Sequence, residues 1–163
     1  PYRLAARSSL LCDRDTQCGG VGPRGPRFMI RGVGVDIIEV GRVEEALTRR
    51  PRLLRRLFTP AEVAYCRSKP ASQYSHFAGR FAAKEAVAKA LGRSCAWHDV
   101  VVSHDPLGRP VVELSGRARE AVGDGTITLT ISHSRDYAVA YAVFDVSPPA
   151  DRSRPERPDE EPA

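Results

Sequence analysis

The chain lacks several features that would place it in particular classes of protein. No run of about 18 apolar residues occurs, so we expect no membrane-spanning helix and no membrane partner. The four cysteines show neither CxxC spacing nor the density of a disulfide framework. No histidine stands beside them at the spacing of a zinc site, so a reducing, cytoplasmic location is the simplest setting. No internal repeat is visible, which leaves one domain with its own core as the expectation.

The composition that is present is that of a globular protein, with 42% hydrophobic and 28% charged residues. A net charge of +5 suits an acidic partner or a phosphorylated ligand, among other partners. Residues 1–28 include the linker-like GGVGPRGPR and precede Met29, the only methionine. We therefore expect a disordered N-terminal extension over 1–28, with Met29 as the functional start. Residues 147–163 contain five prolines and predict a disordered tail, which leaves 29–146 as the working domain.

Periodic patterns at the start of this domain predict a strand followed by helices. MIRGVGVDII alternates and is rich in β-branched residues, as strands are. Residues 39–50 have helical spacing, which Pro51 ends. Thr59-Pro60-Ala61-Glu62 is a strong helix start, with threonine at the cap and glutamate at the third position. That helix is expected to end near Ser68.

FAGRFAAKEAVAKALG, residues 77–92, predicts a longer helix that stops at Gly92. Its alternating apolar and charged positions suggest an amphipathic helix whose apolar side packs on a sheet. The chain then continues through strands at 98–103, 110–114, 126–132 and 137–146, with a short helix at 116–122. This order predicts an α+β fold, in which helices pack on a mostly antiparallel sheet.

Two carboxylates stand out because of their surroundings. Asp36 lies among valines and isoleucines, where an unpaired carboxylate is costly. It could cap the following helix or pair with an arginine, or it could bind a hard cation. Glu85 could simply pair with Lys89 one turn later on an exposed helix face. Two carboxylates on separate rigid elements would also suit a magnesium site completed by phosphate and water.

Basic residues and a histidine accompany these carboxylates. Arg80 and Lys84 are four residues apart on one face of the long helix, and Lys89 follows Glu85 by one turn. Fixed cations beside a metal site are suited to a diphosphate, although any single one of them could be an ordinary surface charge. His133 ends a strand and should lean towards the core, where it is either a structural residue or a phosphate ligand and proton carrier.

The segment RRPRLLRR, residues 49–56, holds five arginines. It could be a solvated helix end, or it could form a footprint for an acidic protein or for nucleic acid. Nucleic acid is the weaker alternative, because no aromatic residues are interleaved with the arginines and no binding module is recognised. A catalytically dead scaffold is also weak, because both carboxylates are present.

Taken together, these motifs resemble the holo-[acyl-carrier-protein] synthase family, the small 4′-phosphopantetheinyl transferases. The similarity rests on GVGVDIIEVGR, FTPAEVAYC, GRFAAKEAVAKALG, DPLGRP and ISHSRDYAVAYAV, which cover nearly all of 30–146 in the family's order. The resemblance implies the 4′-phosphopantetheinyl transferase fold. It also implies a Mg²⁺-dependent transfer of phosphopantetheine from coenzyme A to a serine of apo-acyl carrier protein, in fatty acid biosynthesis.

The resemblance further implies roles for individual residues. Asp36 and Glu85 would bind Mg²⁺, and Lys84 or Lys89 would stabilise the leaving phosphate. The proton acceptor would be Glu85 directly, Glu85 through a metal-bound water, or His133. The coenzyme A site would be lined by Arg80, Lys84, Lys89, Gly108, Pro110, His133 and Ser134.

For the partners, the resemblance implies an acidic carrier protein and no nucleic acid. The recognition helix of the carrier would dock on Arg42, Arg49, Arg52 and Arg56. A homotrimer with active sites at the subunit interfaces is implied in the same way. Whether the client carrier serves fatty acid or polyketide synthesis rests on surface complementarity and stays open.

Overall fold

The computed structural model describes residues 29–146, so the expected extension over 1–28 and the expected tail over 147–163 lie outside the described residues. Five strands and five α-helices make up the described chain. They run in the order β1 Met29–Glu39, α1 Val40–Arg49, α2 Pro51–Leu57, α3 Pro60–Arg67, α4 Gln73–Leu91, β2 Val100–His104, β3 Pro110–Leu114, α5 Gly116–Val122, β4 Thr126–His133 and β5 Tyr137–Val146.

The strands form two antiparallel sheets, where the sequence predicts one. The larger sheet has the order β1-β5-β4, and β2 pairs with β3 in a separate hairpin. Asp36 lies on the edge strand β1, opposite Ala140 in the β1–β5 register. No helix in the part of the chain that the structure describes is long and apolar enough to cross a membrane. The α+β class and the antiparallel pairing are confirmed.

α4 packs against the larger sheet at unusually short range. The strand residues that face it are small, and Ala138, Ala140 and Ala142 of β5 are fully buried against the helix. On β1, a Cβ atom added to Gly34 would lie 2.0 Å from the carbonyl oxygen of Ala86, and one added to Gly32 would lie 1.9 Å from that of Ala90. Glycine is therefore required at both positions, because only the absence of Cβ lets the strand and helix backbones meet.

α4 differs from the amphipathic helix that its sequence predicts. Strands β1 and β5 cover one side, while α1, α3, β2 and α5 pack elsewhere around it. Its first half joins a core with α1, α2 and α3, and its second half joins another with β2, β4 and α5. Arg80 and Lys84 are consequently buried, and the expected solvent-facing charged edge is restricted to Glu85 and Lys89.

Local sequence signals account for where the helices begin and end. Thr59 and Glu62 form the predicted capping box at the start of α3, and Gly92 ends α4 in the left-handed conformation with φ 64°. Pro51 ends α1 as predicted, but it also occupies the first turn of α2, a helix that the sequence analysis missed. Proline suits that position because the first helical N–H groups have no partner within the helix.

Candidate functional site

The close contact between β1 and α4 determines the position of Asp36. Side chains alternate between the two faces of a strand, so Asp36 shares the face of Gly32 and Gly34 and is directed towards α4. The side chain is 17% exposed, and its Oδ1 lies 2.8 Å from the Nζ of Lys89. Lys89 also donates to the carbonyl oxygen of Val35 at 2.9 Å. The structure thus joins two residues that are 53 positions apart in the sequence.

Glu85 completes the polar edge of α4 beside this pair. It is half-buried and lies one helical turn before Lys89. Both residues line a cavity of about 340 Å³ between the second half of α4 and the segment 92–97 that follows it. The cavity is therefore lined by one carboxylate and one half-exposed ammonium group, and that ammonium group contacts a second carboxylate, Asp36.

Asp36 and Glu85 fit the donor requirement of Mg²⁺ when its other ligands come from substrate and water. Among residues 29–146 there is no group of three or more His, Cys, Asp or Glu side chains that could hold a metal by themselves. Mg²⁺ is commonly bound through one or two carboxylates together with substrate phosphates and retained waters. Oδ1 of Asp36 is paired with the ammonium group of Lys89, so a metal ion bound there would share or replace this contact.

A second cavity, of about 120 Å³, surrounds Arg80. Arg80 is only 3% exposed, and its guanidinium group lies 4.1 Å over the ring of Tyr65. Its Nη2 is 3.3 Å from Nδ1 of His104, while its Nε has no hydrogen-bond partner within the described residues. The salt bridges of residues 29–146 do not include Arg80. A buried cation without a carboxylate partner is costly in a free protein and is suited to an anionic ligand.

Four of the residues predicted to contact coenzyme A come together in this second cavity. It is lined by Arg80, Gly108, Pro110 and His133, among others. Gly108 has φ 81° in the β2–β3 turn, a conformation that favours glycine. Asp105 organises the same turn by accepting hydrogen bonds from the N–H groups of Leu107 and Arg109, and these bonds hold the pKa of Asp105 below its usual value.

His133 faces α4, as the alternation of β4 predicts, although its position at the strand end leaves it exposed. Ser134 lines neither of the two cavities that surround the other predicted coenzyme A ligands. Its hydroxyl oxygen accepts a hydrogen bond from the N–H of Tyr137 at 3.2 Å within the β4–β5 turn. Ser134 therefore stabilises the hairpin that carries His133.

Lys84 is placed differently from the other predicted ligands. Its Nζ lies 2.9 Å from Oε2 of Glu62 and donates to the carbonyl oxygen of Trp97 at 2.7 Å, and both charged side chains are at most 2% exposed. Glu62 also accepts from the N–H of Val102. Burial lowers the pKa of Lys84, and the Glu62 carboxylate opposes that shift. The pair ties α3, α4 and β2 together along one wall of the Glu85 cavity.

The predicted docking arginines lie on α1 and α2, where all four are exposed. Arg42 lines a groove of about 400 Å³ that extends from Asp36 to the apolar side chains of Leu53 and Leu57. A neighbouring concavity of about 480 Å³ is lined by Arg49, Arg52 and Arg56, among others. The basic surface formed by these four arginines is therefore continuous with an apolar groove that ends at Asp36.

Sequence reasoning missed three residues around Arg80. Tyr65, His76 and His104 all contact it or each other. His76 precedes Arg80 by one helical turn, and this spacing was the available signal. Tyr65 and His104 come from α3 and β2, and no local pattern connects them to α4.

Comparisons with known proteins identify relatives of the chain. Residues 32–142 match the model of the 4′-phosphopantetheinyl transferase superfamily. The chain is 48% identical over 122 residues to the holo-[acyl-carrier-protein] synthase of Moorella thermoacetica, covering 70% of this chain and 93% of that one. It is 46% identical over 125 residues to the synthase of Clostridium acetobutylicum, covering 72% and 99%.

The fold is also similar to solved structures. A crystal structure of a holo-(acyl-carrier-protein) synthase from Bacillus anthracis, in complex with CoA (3′,5′-ADP), matches with a TM-score of 0.63 and 35% sequence identity. The match covers 73% of this chain and 99% of that chain.

Proposed function

The chain belongs to the 4′-phosphopantetheinyl transferase superfamily, and we propose that it is a holo-[acyl-carrier-protein] synthase. It transfers the 4′-phosphopantetheine group of coenzyme A to a serine of apo-acyl carrier protein and releases adenosine 3′,5′-bisphosphate. The observation that carries this proposal is the contact of β1 with α4, which places Asp36 against Lys89, the residue one helical turn after Glu85. The chemistry of this edge matches the activity named for the relatives.

Asp36 and Glu85 are the residues that would hold Mg²⁺. When bound, Mg²⁺ supplies charge neutralisation at the diphosphate of coenzyme A. Lys89 is 51% exposed and is the cation on this edge that is available to the departing phosphate, whose developing charge it stabilises. Glu85 accepts the proton of the carrier serine as its oxygen forms a bond to phosphorus and the phosphoanhydride bond breaks. Glu85 suits this role better than His133, because it shares a cavity with Lys89.

In the homotrimer, coenzyme A contacts the Glu85 cavity of one subunit and the Arg80 cavity of its neighbour, because the residues of α4 that line the two cavities lie on different sides of the helix. The Arg80 cavity offers a buried cation, His133 and the turn at Gly108 and Pro110, which suits a phosphorylated nucleoside. The cavity at Glu85 and Lys89 suits the diphosphate and the start of the pantetheine arm. Lys84 contributes electrostatically and through its link to Glu62, because its ammonium group is bonded within the protein and, unlike that of Lys89, is buried.

The acyl carrier protein docks on the basic surface of α1 and α2. Arg42, Arg49, Arg52 and Arg56 supply exposed positive charge for an acidic partner helix. The apolar groove beside Arg42 leads to Asp36, so a helix seated there would carry its serine towards the reacting phosphate. No nucleic acid is needed to account for these arginines.

The active assembly is a homotrimer in the cytoplasm that serves fatty acid biosynthesis. The outer face of the larger sheet supports self-association, because it exposes apolar side chains from two neighbouring strands. They are Val33, Val35, Ile37, Tyr137 and Tyr141. Cys66 and Cys95 are free thiols, which suits a reducing compartment.

The intact mass of an apo-acyl carrier protein measures this function directly. We expect a gain of one phosphopantetheine group after incubation with the protein, coenzyme A and Mg²⁺. EDTA abolishes the gain, and Asp36→Asn and Glu85→Gln each slow it by about a hundredfold or more, the scale of losing a group that acts on transition-state charge. Asp124→Asn, which removes an exposed carboxylate that lines neither cavity, is the matched control.

The proposal is wrong if folded wild-type protein leaves several different apo-carriers unmodified. It is also wrong in its metal assignment if both carboxylate variants retain the rate of Asp124→Asn.

A further inference from the structure

Three of the four histidines of the chain surround the Arg80 cavity. His76 comes from α4, His104 ends β2 and His133 ends β4, so three separate elements converge on this point. The rings of His76 and His133 meet edge to face with centroids 5.6 Å apart. His104 stacks on Tyr65 at 4.7 Å, and His76 meets the same tyrosine edge to face at 5.6 Å. Tyr65 thus holds both imidazoles as well as the Arg80 guanidinium.

The cluster lacks a negative charge that would balance the charge of Arg80. Arg80 brings a permanent positive charge into a nearly inaccessible position and has one N–H without a partner in the described residues. Burial and the charge of Arg80 lower the pKa values of both His76 and His104. The two imidazoles are therefore mainly neutral in the free protein at neutral pH. Other titratable groups that face the cluster are Tyr65 and Cys66 from α3, Lys69 before α4, Asp105 after β2 and His133 from β4.

An anion in the cavity would reverse this balance. Negative charge beside an imidazole favours its protonated form, so a bound dianion raises the pKa values that Arg80 and burial had lowered. Asp105 is the nearby carboxylate, but its oxygens accept hydrogen bonds from its own turn and from Arg109. It is therefore poorly placed to supply the missing charge, and a ligand has to bring it.

We propose that His76 and His104 join Arg80 in a phosphate subsite where ligand binding is coupled to protonation of the two imidazoles. This inference rests on the proposed function, because coenzyme A is the phosphorylated ligand. A cavity of about 120 Å³ lined by a guanidinium and three imidazoles suits a phosphate group. The proposed function assigns the diphosphate to the Glu85 cavity, so the group expected here is the 3′-phosphate of coenzyme A, and the diphosphate is the alternative that the test distinguishes.

The coupling has a definite sign. His76 and His104 bind few protons in the free protein near neutrality and more in the complex, so binding takes up protons. Affinity for coenzyme A must then decrease as pH rises. A phosphate monoester has its second pKa near about 6, so it is largely dianionic above about pH 6.5 and contributes little to the slope there.

Isothermal titration calorimetry with coenzyme A tests the coupling between about pH 6.5 and pH 8, in two buffers of different ionisation enthalpy. We expect net proton uptake, and a Kd that increases about five- to tenfold over this range as the linked protons are lost. The double variant His76→Gln/His104→Gln should bind more weakly at the lower pH and show a nearly flat profile. His98→Gln, which changes the remaining histidine outside the cavity, should retain the wild-type slope.

Dephospho-coenzyme A distinguishes the two phosphate sources. Loss of the pH slope with this ligand assigns the subsite to the 3′-phosphate, and an unchanged slope assigns it to the diphosphate. Urea unfolding and the carrier mass assay on the same proteins separate failure of folding or of the proposed function from failure of the coupling. Wild-type protein that binds coenzyme A and modifies the carrier without proton uptake overturns the subsite and leaves the synthase assignment intact. Absence of both binding and modification overturns the synthase assignment.

Discussion

Alternate glycines on β1 determine how closely the strand approaches α4, and this distance places Asp36. Gly34→Ala adds a Cβ atom 2.0 Å from the Ala86 carbonyl oxygen and 2.7 Å from the Ala90 nitrogen. Both obstacles are helix backbone, so no flexible side chain can move aside. We expect the free energy of unfolding in urea to fall by about 3 kcal/mol, at the upper end of overpacking costs. Transfer activity should fall as well, because the Asp36–Lys89 contact is displaced.

The matched control is Gly41→Ala in α1. A Cβ atom at Gly41 meets nothing within 4 Å, and alanine is the better helix former. The control should leave the protein unchanged or stabilise it by up to about 1 kcal/mol. Equal stabilities for Gly34→Ala and Gly41→Ala would show that the backbone contact does not limit the fold.

The sequence could identify individual candidate site residues, but not always the residues that surround them in the fold. Asp36 and Glu85 stand out because a carboxylate in an apolar stretch requires a partner. The position of Lys84 along α4 is compatible with a solvent-exposed charge. Its partner Glu62, however, is 22 positions away on another helix. Arg80 is buried for a similar reason, since Tyr65 and His104 come from other elements. Helical periodicity describes one helix at a time and does not reveal which of its sides are covered.

At the scale of elements, we propose that α1 and α2 form the surface that receives the carrier protein. Arg52→Glu and Arg56→Glu together replace attraction for an acidic helix by repulsion. We expect kcat/KM for the carrier to fall by about tenfold or more at low salt, since about 1.4 kcal/mol of lost attraction corresponds to a factor of ten. The KM for coenzyme A should stay the same, because neither cavity that we assign to it includes these arginines.

Arg119→Glu on α5 is the control for this change of charge, because Arg119 is equally exposed on a different helix. It should leave the carrier kinetics within about twofold of wild type, as distant rim charges usually do. Raising the salt concentration should reduce the difference between wild type and the α2 variant by screening. A variant with reversed charge on α2 but unchanged carrier kinetics would place the docking surface elsewhere.

The sequence predicted helix ends best where a few neighbouring residues determine them. The capping box of α3 and the left-handed Gly92 after α4 follow from a few neighbouring residues, and both are present. The sequence analysis missed α2 because a proline that ends one helix can also begin the next, as Pro51 does. The division into two sheets could not be predicted, because alternation shows which residues share a face and not which strands pair.

At the scale of the whole molecule, the outer face of the larger sheet remains uncovered in a single chain. Tyr141 lies on the central strand, 43% exposed, opposite Val35 of β1 and Thr130 of β4. Apolar side chains that cluster on one sheet face are characteristic of association surfaces. If three copies bury this face together, a charge at its centre must be desolvated within the interface, which is strongly unfavourable.

Tyr141→Lys should therefore dissociate the assembly. Light scattering after size exclusion should give about three times 17.8 kDa for wild type and about one times that mass for the variant. Val111→Lys places the same charge at an exposed apolar position on the smaller sheet and should leave the trimer intact. The Tyr141→Lys monomer should also lose transfer activity, because the homotrimer proposal places the active sites at the subunit interfaces. A wild-type protein that is monomeric and fully active would show that one chain holds a complete site, and it would reassign the exposed sheet face to another partner.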